Sequence, residues 1–76
     1  MQTREYAFYM VWDADERVWV THVPDLNGLS TYGETQEEAV AMTREAIELY
    51  FEVARERGES VPEPASAVGK IAVSVA

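Results

Sequence analysis

The chain has no cysteine, one histidine and only six basic residues in a length of 76. Without cysteine it forms no disulfide, and with His22 as its lone imidazole it lacks the ligands of a conventional zinc site, so no metal is expected. Long apolar runs are missing too, since no stretch approaches the roughly 18 residues that a membrane span needs. Residues Met1 to Glu5 lead straight into a strand-like pattern without the apolar stretch of a secretory signal, and a cytoplasmic location is the expectation. The four glycines are too far apart to cradle a phosphate, so neither a nucleotide nor any other cofactor is expected.

The scarcity of positive charge has its own consequence. Fourteen acidic residues leave a net charge of -8, which repels phosphate backbones and attracts basic partners over a Debye length of about 8 Å. Direct binding to nucleic acid is not expected, although acidity also keeps a small protein in solution and by itself names no partner. A chain this short buries only about 60% of its unfolded surface, and with neither disulfide nor metal available, association with another copy is the natural support.

The apolar fraction of 47% is distributed as one domain over residues 1–76, without repeats or low-complexity tracts. From Glu5 to Trp12 the residues alternate, with Tyr6, Phe8, Met10 and Trp12 on one face and Ala7, Tyr9 and Val11 on the other, which predicts a first strand. Asp13 to Glu16 reads as a turn, and a second strand runs from Arg17 to Val23, ending at Pro24, which has no amide proton for a ladder. Asn27-Gly28 supplies positive φ for a reversal before a short third strand over Leu29 to Gly33, expected antiparallel to the second. Thr35 and Glu38 spell a capping box, in which each side chain caps the other's amide, and open a helix that runs to Arg57 and stops at Gly58. Residues 59–67, rich in Pro, Ser, Glu and Ala, form a connection, and the alternation in Val68 to Val75 predicts a fourth strand. The fold class is therefore α+β, with strands and one long helix in the order β-β-β-α-β.

The helix is more apolar than one sheet requires. Ala39, Thr43, Ala46, Ile47, Tyr50 and Ala54 form a stripe flanked by Met42, Leu49 and Val53 on one side and by Val40 and Phe51 on the other, an arc of about 200°. A sheet-packing helix needs about half of that. Either residues 59–67 fold over the surplus, or Met42, Leu49 and Val53, or the outer face of the first two strands, are buried in a homo-oligomer, a dimer or tetramer.

Catalytic constellations are scarce. His22 shares a strand face with Val18 and Val20, and although Asp25, Ser30 and Thr31 are near in sequence, nearness does not make a nucleophilic triad. Asp13, Asp15, Glu16 and Asp25 gather carboxylates at one end of the sheet, where a solvated turn is the simpler reading than a Mg²⁺ site, because the calcium-loop spacing is not matched. No enzymatic activity is expected.

Val23-Pro24-Asp25-Leu26-Asn27-Gly28, then Thr31-Tyr32-Gly33-Glu34-Thr35 and Glu37-Glu38-Ala39, resemble the N-terminal domain of HicB antitoxins. Glu45-Ala46-Ile47-Glu48-Leu49-Tyr50, Gly58-Glu59 and Pro62-Glu63-Pro64 extend the resemblance over nearly the whole chain. It implies a domain like a truncated RNase H fold, a mostly antiparallel four-stranded sheet in the order 3-2-1-4 with the helix on one face. It also implies that the protein binds and blocks a HicA-type toxin, a small basic ribonuclease that cleaves mRNA, and an acidic surface suits such a partner. Two positions depart from the family's pattern: Asn27 stands where proline is common and Leu29 where cysteine is common, both compatible with the turn. The helix-turn-helix or ribbon-helix-helix segment with which many HicB proteins bind DNA is not found before Ala76, so operator binding by these residues is not expected. Asp13, Asp15, Glu16 and Asp25 are the candidate toxin-binding residues. The rival readings are a degenerate RNase H-like nuclease using those carboxylates with Mg²⁺, and an oligomeric scaffold or ligand-binding domain without a toxin.

Overall fold

The structure is a computed structural model that describes residues 3–75. Strand β1 (Tyr9–Asp13) pairs with β2 (Val18–Val23), and β2 pairs with β3 (Leu29–Gly33), both antiparallel, giving the order β1-β2-β3. A single turn of 3-10 helix (Pro24–Leu26) precedes β3, and helix α1 (Gln36–Arg57) follows it.

The ladder explains where the strands begin. Tyr9 is opposite His22, and Pro24 ends β2 just beyond, so the residues before Phe8 have no strand to pair with despite their alternation. Arg17 does not open β2 but sits in the turn at φ 56°, with its amide donating to the Asp13 carbonyl at 2.8 Å. At the other reversal, Asn27 and Gly28 both take positive φ, 57° and 70°, as the Asn-Gly pair suggests.

The helix is capped as its sequence predicts at one position and differently at another. The Thr35 hydroxyl accepts from the Glu38 amide at 3.0 Å, while the Glu38 carboxylate reaches back to the amide of Glu34 at 3.3 Å and not to that of Thr35. At the far end Gly58 lies in the left-handed region at φ 68°, and the amides of Gly58 and Glu59 donate to the carbonyls of Arg55 and Ala54, a Schellman closure.

The expected four-stranded sheet in the order 3-2-1-4 is corrected by the structure. Among the described residues the sheet has three strands, the element order is β-β-β-α, and residues 59–75 hold neither helix nor strand. Alternation gives Val68–Val75 a strand-like composition, but a strand exists only where another edge supplies its hydrogen bonds. Here the segment passes Phe8, Tyr9 and Met10 near Val68 to Lys70 and runs on unpaired, with Ile71 88%, Val73 76% and Val75 91% exposed. The radius of gyration, 14.6 Å, accordingly exceeds the roughly 11 Å of a compact chain of this length.

The core lies between α1 and β2–β3. Val23, Leu26, Ala39 and Ala54 are buried, and so are Thr21 and Thr43. The two threonine hydroxyls meet at 2.7 Å, with the Ala39 carbonyl 2.7 Å from Thr43 and the Thr31 carbonyl 3.2 Å from Thr21. Each hydroxyl has one proton, so whichever way the chain of bonds runs, neither threonine is left unpartnered in the interior. This contact fixes the faces. Trp19, Thr21 and Val23 look toward the helix, as do their register partners Met10 and Trp12 on β1 and Leu29, Thr31 and Gly33 on β3. Tyr9, Val11, Val18, Val20, His22, Ser30 and Tyr32 form the outer face.

Only Glu34 and Thr35 join β3 to α1, so the helix begins against β3 and Gly33 is where the two backbones meet. A Cβ at Gly33 would lie 2.8 Å from the Glu38 carbonyl carbon and would also strike the backbone of Ala39. Backbone cannot rotate away, so Gly33→Ala is expected to lower stability by about 1–3 kcal/mol, read as a fall in the urea midpoint. An unchanged midpoint would show that the helix start yields freely.

Candidate partner-binding surfaces

Two surfaces stand out, at opposite ends of β2. At the β1–β2 turn, Asp13 caps the turn with its own carboxylate, whose Oδ1 accepts from the amides of Asp15 at 3.0 Å and Glu16 at 3.1 Å. That arrangement leaves the carboxylates of Asp15 and Glu16 exposed. Next to them, Asp13, Glu16, Val18, Val20 and Tyr32 line a shallow depression of about 370 Å³ on the outer face of the sheet. Tyr9, Val11 and Tyr32 are exposed on that face, and the His22 ring stacks on Tyr9 at 4.9 Å. The result is an apolar and aromatic patch with a negatively charged rim, the general anatomy of a protein-binding surface.

Asp25 belongs to a different place. It follows β2, so the length of a six-residue strand at about 3.3 Å per residue separates it from the Asp13 turn. Its Oδ2 accepts from the amides of Ala65 and Ser66, each at 2.8 Å, and its Oδ1 from the Ser66 hydroxyl at 2.7 Å. These bonds favour the ionised form and hold the carboxyl below its ordinary value, the Ala65 amide first, then the Ser66 hydroxyl and amide. The structure thus brings Asp13, Asp15 and Glu16 together and sets Asp25 to holding the segment after the helix. Committed there, Asp25 does not orient His22.

The same segment is held at a second point. Arg4 pairs with Glu63 at 3.2 Å and reaches the Val61 carbonyl, while the Tyr6 hydroxyl donates to the Pro62 carbonyl and the Tyr6 ring meets Phe51 edge-on at 5.8 Å. Residues 59–66 therefore do fold back over part of the apolar surplus, on the Phe51 side of the helix. The opposite side stays open: Met42 and Leu49 are exposed, Val53 is half-buried, and Leu49, Tyr50 and Val53 line a groove of about 420 Å³ with Asn27, Leu29 and Arg57. Asn27, which lines that groove, donates to the Tyr50 hydroxyl at 2.8 Å.

Sequence reasoning did not single out Tyr32, although alternation along Leu29–Gly33 places it outward beside Val20. The anchoring roles of Arg4, Tyr6 and Asp25 had no local signal, because their partners lie 40 to 59 residues away. Among the described residues no group of three or more His, Cys, Asp or Glu is placed to hold a metal ion, and no helix is long and apolar enough to cross a membrane.

The structure defines a small α+β domain, one helix on a three-stranded sheet, with an acidic rim and uncovered apolar faces. The family model for the HicB_like antitoxin of bacterial toxin-antitoxin systems matches residues 6–74, and the chain belongs to that family. Searches of curated proteins and of solved structures found no significant match.

The Asp25 contacts carry a pH dependence. Because the folded-state carboxyl is depressed, its contribution is complete above the ordinary value of 3.8 and disappears as the pH falls through the lowered one. The amide resonances of Ala65 and Ser66 are expected to move with Asp25 in an acid titration by NMR, and Asp25→Ala should abolish their hydrogen-exchange protection at neutral pH. Amides indifferent to both would show that the carboxylate does not hold the segment.

Proposed function

We propose that the protein is an antitoxin that neutralises a HicA-type mRNA-cleaving toxin by direct binding, without turnover of its own, in the cytoplasm. Family membership supports the role, and the observation that carries the binding mode is the joining of exposed carboxylates at Asp15 and Glu16 to the apolar outer face at Val18, Val20 and Tyr32. Such a surface steers a basic ribonuclease electrostatically and then excludes water from the contact. Asp13 shapes the turn, Asp15 and Glu16 attract, and Asp25 acts indirectly by keeping residues 65–66 in place.

The protein also self-associates in this reading, as a dimer or tetramer, through the side of the helix bearing Met42, Leu49 and Val53. The open groove there is the kind of apolar surface that small soluble proteins cover with a second copy.

Reversing the charge of Asp15 and Glu16 to lysine is expected to slow association with the toxin about tenfold at low ionic strength and to flatten its salt dependence, measured by stopped-flow mixing. An unaltered rate would remove the turn from the toxin-binding surface. Sedimentation at micromolar concentration is expected to show an oligomer that Leu49→Glu weakens, whereas a monomer would overturn self-association.

A further inference from the structure

The chain holds an unpaired strand-like segment and an open sheet edge that it does not join. Val68–Val75 alternates, with Ile71, Val73 and Val75 on one face, and it is neither paired nor buried. β1 is an edge of the sheet, so alternate residues present unpaired amides and carbonyls outward. Above that edge the helix-side surface is also open, because α1 lies over β3 and β2. Trp12 is exposed, and Phe8, Met10 and Trp19 line a broad depression reached by Val68, Gly69 and Lys70.

We infer that Val68–Val75 of one copy pairs with the β1 edge of a second copy, and reciprocally, so that two chains are joined by exchanged C-terminal strands. The sheet within each chain remains three-stranded; the added strand comes from the partner.

Three observations select a second copy as the occupant. First, the segment starts beside its own β1, at Phe8 to Met10, yet runs on without pairing to it. In a two-fold arrangement each donor leaves next to its own acceptor edge, so both exchanges close together and no open filament results. Second, the segment is held up to Ser66 by Arg4, Tyr6 and Asp25, which fixes its point of departure and lowers the entropy lost when the remainder is captured. Third, charge favours it. All fourteen acidic residues lie between Glu5 and Glu63, whereas Val68–Val75 carries the single charge of Lys70, which is positive. It is the stretch of chain that another acidic copy repels least.

The inference rests on self-association and is tested separately from the helix face. The chain has no cysteine, so single cysteines report without background. A Val11→Cys chain and an Ala72→Cys chain carrying different tags are mixed, refolded together and treated with a short bismaleimide. The expected result is a cross-linked product bearing both tags, and a markedly lower yield of it with Val73→Pro at concentrations near the dissociation constant, because the proline removes an amide from the added strand and weakens the dimer about tenfold. Proline at that position leaves the fold of the chain intact, because Val73 makes no ladder bond within it.

An oligomer whose mass and affinity survive Val73→Pro leaves self-association standing and overturns the exchange. So does an intramolecular cross-link as the main product of a chain that carries both Val11→Cys and Ala72→Cys. A monomer under all conditions overturns both readings.

Discussion

The width of a single helix sets the terms for the rest of the molecule. An α-helix with its side chains is about 10 Å across, and strands lie about 4.8 Å apart, so one helix covers two strands and leaves the third. Which two is decided locally: two residues join β3 to α1, Gly33 allows the backbones to touch, and the Thr21–Thr43 contact pins the helix across β2. β1 is left with both faces open, and its Tyr9, Val11 and Trp12 are exposed in consequence. A sheet with one helix and one bare face has more apolar surface than the chain can hide, whatever its loops do.

How far the sequence discloses this depends on the range of the interaction concerned. The helix is legible to the residue at its C-terminus because Thr35 and Gly58 act on amides and carbonyls within a few residues of themselves. The Asn27-Gly28 reversal is legible for the same reason. The fourth strand misleads because alternation records a preference for a pleated environment and not the presence of a neighbour to complete the ladder. Asp25 shows the limit for the site: as one carboxylate among several near sheet turns it looks like part of an acidic cluster, and only the path of residues 65–66 reveals that its charge is already engaged. Asp15 and Glu16, by contrast, are exposed in the turn that composition assigns them to.

The placement of charge also separates the apolar surfaces. Asp13, Asp15 and Glu16 border the outer sheet face, so another acidic chain approaching that face is opposed while a basic one is drawn in. The groove at Leu49 and Val53 has Arg57 as well as Glu59 on its border, a mixture that does not turn away a second copy. In the proposed reading, the same hydrophobic chemistry is directed to different partners by the few charges around it.

The two proposed associations meet on β1, whose last residue, Asp13, opens the acidic turn. The acidic turn lies at one end of β2, and the clamp formed by Arg4, Tyr6 and Asp25 lies at the other, with the C-terminal segment departing from the clamp. Joined copies would present two acidic turns on one particle, and a toxin with more than one basic face, or two toxins held together on an mRNA, would then meet the second turn at a local concentration in the millimolar range. For a small domain with a modest core, the proposed association would supply stability and strengthen binding through the same surfaces. That is a physical reason for the chain to keep apolar faces that a self-sufficient fold would have covered.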